Sequence, residues 1–220
     1  MSGRLRLSPS ICLIGPPGSG KGSYGRLLAE FLSIPLITVS TLLQQAQIDT
    51  SSGKLVDDVT VGHILVPQLP KQQPYLLDGY PRTLNQVKVM ERDWDAPIQA
   101  AISLEVPRQV CLEKLLGRRI CTICDRHWNL ANVQYGSFNL PASLPESCTR
   151  CVSPIDDWIQ RTDDEPDVIE KRLDTFYASA GPILDHYEAN GKLLRFAPNL
   201  GYLDMPRFQL TVANWLAELP

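Results

Sequence analysis

The chain has 220 residues, 44% of them hydrophobic, which is enough for one sizeable core with room for inserts. A formal net charge of -3 gives no basic footprint, so neither nucleic acid nor an anionic membrane is expected as a partner and any phosphate binding has to be local. No apolar run approaches the roughly 20 residues that span a bilayer.

Only ten residues precede the first apolar run, short for a leader, so a cytoplasmic location is expected, with a processed organellar form left open. That run, "SICLIG", predicts a strand ending in Gly15. "YGRLLAEFL" carries Leu27, Leu28, Phe31 and Leu32 at helical spacing. "IPLITVS" predicts a second strand through Ser40, and "DVTVGHILVPQL" a helix over Asp58–Leu69 closed by prolines. "PYLLDGYPR" predicts a strand ending at Asp78-Gly79, and "QAAISLEV" another. "RQVCLEKLLGRR" predicts a helix with Val110, Leu112, Leu115 and Leu116 inward. Between Cys121 and Cys151 periodicity stops and only the cysteines are regularly spaced. It resumes in "DVIEKRLDTFY", with Ile169, Leu173, Phe176 and Tyr177 on one face, then in a strand "KLLRFA" and a closing helix "PRFQLTVANWLAEL". Alternation of this kind predicts an α/β fold, a parallel sheet flanked by helices on both faces.

The stretch "GPPGSGKGS", Gly15 to Ser23, lies between a strand and a helix start. In such a turn successive backbone N–H groups and the helix N-terminus surround an anion, and Lys21 adds a point charge. An ordinary glycine-rich turn with a solvated lysine does not account for the lysine's placement. Asp78, at the end of an apolar strand, reads on its own as a turn former before Gly79. Four cysteines form two Cys-x-x-Cys pairs, Cys121/Cys124 and Cys148/Cys151, with 23 residues between the pairs. Four sulfurs would complete a tetrahedron with no open position, the form of a structural Zn²⁺ site; reduced thiols or a redox disulfide are the competing readings. Cys12 and Cys111 sit in apolar runs and read as core.

Gly-x-Pro-Gly-x-Gly-Lys-Gly followed by Ser resembles the P-loop of adenylate kinases. Further matches follow in order: "GKLVDD", "LLDGYPRTLNQ", "LLGRRIC" and "RTDDEPDVIEKRL". The segment "RICTICDRHWNLA" is most similar to plastid-type members. The resemblance implies a P-loop NTPase-like core over 1–38, 68–119 and 161–220, a shortened monophosphate-binding insert over 39–67, and a lid insert over 120–160. It implies that Gly15, Gly18, Ser19, Gly20, Lys21, Gly22, Ser23, Lys114 and Arg118 hold ATP, and that Val56, Gly79, Arg82, Gln86, Arg161 and Arg172 hold AMP. Lys21, Asp78, Arg82, Arg118, Arg161 and Arg172 would carry catalysis. Mg²⁺ would enter with ATP and ride mainly on substrate oxygens and water near Asp78. Asp163 and Asp164 would orient the lid arginines, or simply cap the helix that follows. A monomer is expected.

Departures fall on the acceptor side. "VSTLLQ" puts Val39 in place of a hydroxyl residue, Thr41 in place of an aspartate and Gln44 in place of a phosphate-gripping arginine. Lys114 stands where many members carry an arginine. The activity implied is MgATP + AMP to two ADP. The alternatives are a kinase for another nucleoside monophosphate and a catalytically weak nucleotide-binding relative.

Overall fold

The computed structural model describes residues 9–50, 55–124, 126–143 and 158–219. Its first element, β1 (Ile11–Ile14), is followed by the glycine-rich turn and α1 (Lys21–Leu32). Next come β2 (Leu36–Thr38), α2 (Val39–Gln45), α3 (Asp58–Leu65), β3 (Leu76–Asp78) and α4 (Leu84–Asp93). Then follow β4 (Ala100–Leu104), α5 (Arg108–Leu116), β5 (Arg118–Cys121), β6 (His127–Asn129), β7 (Val133–Tyr135) and β8 (Phe138–Leu140). The chain closes with β9 (Trp158–Ile159), α6 (Pro166–Ala189), β10 (Leu193–Phe196) and α7 (Met205–Glu218).

Five parallel strands form the central sheet in the order β10-β4-β1-β3-β2. Every residue of β1 is buried, which explains why its sequence is continuously apolar: a strand covered on both faces has no polar side. Its side chains still alternate between two layers. Cys12 and Ile14 pack with Leu77, Val87, Met90, Ile183 and Tyr187 beneath α4 and α6. Ile11 and Leu13 pack with Leu28, Ile102, Phe208 and Val212 beneath α1 and α7. Strand order reverses at β1, which has β3 on one side and β4 on the other. The crevice beyond the carboxyl ends of these strands is where ligands bind in open α/β sheets. Leu13 pairs with Asp78, so the end of β3 lies level with the start of the glycine-rich turn.

Several sequence expectations change. The "IPLITVS" strand stops at Thr38, and Val39 already opens α2. The helix expected over Asp58–Leu69 ends at Leu65 and tightens into a 3-10 turn, Val66–Gln68, where Pro67 lacks the N–H that an α-turn needs. The helix expected through Arg119 ends at Leu116, and Arg118 begins a strand; Leu116 is exposed and Leu112 only half-buried. Tyr177 is likewise exposed, its ring lying edge-on to Phe176. The segment without periodicity contains β6, which pairs antiparallel with β5 in the set β6-β5-β9, and the hairpin β7-β8. Val133, Phe138 and Leu140 of that hairpin are buried against Val110 and Leu115 of α5. Among the described residues no helix is long and apolar enough to cross a membrane.

Candidate active site

The turn after β1 wraps the start of α1. Gly18 and Gly20 have φ of 86° and 90°, backbone values that side chains disfavour. A Cβ on Gly18 would lie 2.6 Å from the carbonyl oxygen of Cys111, so the turn is pressed onto α5. Gly20 caps α1 without any side-chain hydrogen bond, leaving the helix N-terminus open to an anion. Ser19 Oγ is buried without a hydrogen-bond partner. Lys21 Nζ donates to the carbonyls of Gly15 (2.5 Å) and Pro16 (2.9 Å). Desolvation pushes its pKa down to about 8, with the Asp78 carboxylate opposing and the Arg82 and Arg172 charges adding to the fall. Asp78, Arg82 and Arg172 thus all act on the Lys21 ammonium.

Asp78 is 7% exposed. Burial raises its pKa, and Lys21 and Arg82 oppose that rise. The Cβ position of Gly22 is 3.9 Å from Asp78 Oδ2, so the carboxylate faces the first turn of α1. One hard oxygen donor beside a phosphate cradle fits Mg²⁺ carried in on a nucleotide, which uses few protein ligands.

Three arginines are held by two adjacent acids. Arg118, opening β5, donates from Nε and Nη2 to Asp164 at 2.6 and 2.5 Å. Arg161 forks onto Asp163 at 2.7 and 2.9 Å. Arg172, on α6, donates from Nη1 to the Asp163 carbonyl at 2.8 Å and lies 3.0 Å from its carboxylate. Burial would raise Asp163, but Arg172, Arg161 and Arg118 outweigh it and hold the carboxyl below the ordinary range. Three guanidinium groups against two carboxylates leave one positive charge in the cluster. Asp163 and Asp164 therefore orient arginines, as the sequence reading expected. Arg119 instead donates to the carbonyls of Leu116 and Arg118.

On the acceptor side Arg82 is exposed and donates from Nε to Gly79 O at 2.9 Å. Val56, Gly79, Arg82 and Gln86 line one small cavity with Val39 and Leu43. Val39 is 3% exposed, so the residue replacing a hydroxyl has become part of the core. Gln44 is exposed on α2 and does not line this cavity. Lys114 is half-buried on α5, where burial lowers its pKa.

The family model for adenylate kinase matches residues 13–192. The chain belongs to the adenylate kinase family. It is similar to the GTP:AMP phosphotransferase of Plasmodium falciparum (isolate 3D7), with 31% identity across 93% of this chain and 96% of that protein. It is 32% identical to the adenylate kinase of Nitrosococcus oceani, across 83% and 88% of the two chains. A probable adenylate kinase 6, chloroplastic, of Oryza sativa subsp. japonica is 31% identical, across 83% of this chain and 70% of that protein.

Within the adenylate kinase frame, Tyr202 escaped the sequence reading. Its hydroxyl donates to Ser23 Oγ at 3.0 Å, from the short 3-10 turn Gly201–Asp204 that precedes α7. No local pattern marks it, because its partner lies 179 positions away. The cysteine expectation is only partly visible. Cys121 is buried beside Trp158, with half-buried Cys124 and Trp128 packed against them, and the two indoles stack at 5.4 Å. Cys148 and Cys151 lie outside the described residues. Among the described residues no three His, Cys, Asp or Glu side chains are grouped to hold a metal ion. Cys12 and Cys111 are core residues, as expected.

Proposed function

We propose that the protein transfers the γ-phosphoryl group of MgATP to AMP, giving two ADP. One observation carries the reading: Lys21 of the phosphate turn shares its field with Asp78, Arg82 and Arg172, and Arg172 is locked to Arg118 and Arg161 through Asp163 and Asp164. Phosphoryl transfer needs little covalent help from a protein; it needs positive charge around the migrating group and exclusion of water.

Gly15, Gly18, Ser19, Gly20, Lys21, Gly22 and Ser23 cradle the donor phosphates, and Lys114 and Arg118 complete the donor site. Arg82 grips the acceptor phosphate, while Val56, Gly79 and Gln86 meet its nucleoside. A phosphate oxygen of AMP attacks the γ-phosphorus, the bond to the β,γ-bridging oxygen breaks, and the electron pair leaves on ADP. Arg118, Arg161 and Arg172 spread positive charge over the transferred group, each fork offering N–H groups in a fixed plane. Asp78 is the protein carboxylate that would stand beside a Mg²⁺ carried in on the nucleotide, and the ion would supply neutralisation of phosphate charge.

The residues divide into a core over 1–38, 68–119 and 161–220, an acceptor insert over 39–67 and a lid over 120–160. Cys121, Cys124, Cys148 and Cys151 hold a structural Zn²⁺ in that lid; the juxtaposition of Cys121 and Cys124 supports half of this set. The protein acts as a cytoplasmic monomer. The test is a coupled assay of ATP and GTP, each against AMP, GMP, CMP and UMP. Turnover with ATP and AMP is expected; no turnover with any pair sinks the proposal. GTP as donor is the second reading, supported by the name of the Plasmodium relative, and the same assay separates the two.

A further inference from the structure

Gln86 is one of the residues proposed above to meet the acceptor nucleoside, and the one among them with a side-chain amide, which is held at both ends. Its Oε1 accepts from the backbone N–H of Arg82 at 2.6 Å, and its Nε2 donates to Asp58 Oδ1 at 2.6 Å. Asp58 Oδ2 in turn accepts from Asn85 Nδ2 at 3.2 Å. Asp58 is the first residue of α3, while Asn85 and Gln86 lie in the first turn of α4, so one carboxylate ties the two helix starts together. Gln86 is only 3% exposed and lines the acceptor cavity. Helix capping explains part of this arrangement. Thr83 Oγ1 accepts from the Gln86 N–H, and the Gln86 side chain reaches back over the helix start, much as in a capping box. Capping does not require Asp58.

The chemistry of the two anchors fixes which way the amide points. A carboxylate only accepts and a backbone N–H only donates, so reversing the carboxamide would set oxygen against carboxylate and N–H against N–H. One amide hydrogen and one lone pair are spent on these anchors. The remaining hydrogen and lone pair then stand in a fixed order. Adenine presents an amino donor at position 6 beside an acceptor at N1. A 6-oxopurine presents the reverse, an acceptor at O6 beside a donor at N1. An amide free to turn end over end matches either edge; a locked amide matches one.

We propose that Asp58 is a specificity-determining positioning residue: by locking the Gln86 carboxamide it selects a 6-aminopurine monophosphate over a 6-oxopurine one. The inference rests on the AMP reading of the acceptor site. Asp58 acts through Gln86 and does not itself touch the reacting atoms.

Asp58→Asn is the discriminating variant. An asparagine keeps the shape and can turn either its oxygen or its nitrogen toward Gln86, so the contact survives while the order is released on that side. The measurement is kcat/KM for AMP and for IMP at saturating ATP, in wild type, Asp58→Asn and Asp58→Ala. The expected result is a fall in the AMP:IMP preference by about tenfold or more, the size of one charged hydrogen bond, with KM for ATP unchanged and the melting temperature of Asp58→Asn retained. A preference that survives both variants overturns the inference, including the case where Asp58→Ala merely lowers the melting temperature. A wild type that phosphorylates neither purine, but accepts another monophosphate, overturns the AMP reading and this inference with it.

Discussion

Arg118 grips Asp164 through both Nε and Nη2, and the carboxylate it grips has no exposure to solvent. The guanidinium is thereby held in one orientation, and on the proposed reading its Nη1 side is the one left to meet a phosphate oxygen. Preorganised charge of this kind costs no reorganisation at the moment of transfer.

Arg118→Ala is expected to strip the clamp and also to leave Asp164 buried with only Arg172 nearby, at 3.5 Å. Removing one partner of a buried pair costs about 3–5 kcal/mol, and loss of a transition-state arginine lowers kcat by about 10³ or more. Urea unfolding and steady-state kinetics measure the two effects separately. A variant with wild-type stability and kcat would mean that the pair is neither buried support nor clamp.

With the Lys21 pKa lowered to about 8, donor binding on the proposed reading is expected to depend on pH. The ammonium is half lost at that pH and is progressively lost above it, so ATP affinity should weaken as pH rises through about 8. Phosphate should raise the pKa again, so binding near that pH should take up protons from solution. For the ligand-free fold the sign is opposite. The unfolded lysine keeps its proton to about 10.5, so between the two values the unfolded state binds more protons and this group raises stability with pH. Calorimetry in buffers of different ionisation enthalpy measures the uptake, and an affinity flat across this range would contradict the assignment.

Tyr202 donates to Ser23 Oγ, which leaves the serine's own hydrogen free to point at a donor phosphate. Tyr202→Phe removes one neutral hydrogen bond, worth about 0.5–1.5 kcal/mol, so the donor KM should rise by roughly two- to tenfold while the acceptor KM stays. An unchanged donor KM would reduce Tyr202 to a tie between α1 and the segment before α7.

If the four cysteines hold zinc, protein purified under reducing conditions should carry about one equivalent, and a strong chelator should loosen the lid before the core. Elemental analysis decides this. A metal-free protein with full activity would leave Cys121 and Cys124 as packing residues beside Trp158.

What could be read from the sequence was local. The phosphate turn is contiguous and lies between a strand and a helix, so its own sequence exposes it, whereas Asp78 and the Arg161 to Arg172 run carry their roles only through the resemblance to adenylate kinases. Helices α2 and α4 went unread because they are short and begin directly after strand-like or turn-like residues; Thr83 caps α4 through its side chain, a signal hidden inside "YPRTLNQ". Strands β6 to β9 have two or three residues each, too few for a period to register. Tyr202 and Asp58 act through partners distant in sequence, which only the fold brings near.

Gly18 meets two prohibitions at once: its φ of 86° and the Cys111 carbonyl 2.6 Å from where a methyl would stand. The second obstacle is backbone, which cannot rotate away. A library randomised at this codon should therefore return glycine almost alone among active clones, however gentle the selection, because no change elsewhere in the phosphate turn opens space inside α5. Mutational tolerance here is set by a helix ninety positions downstream, not by the nucleotide.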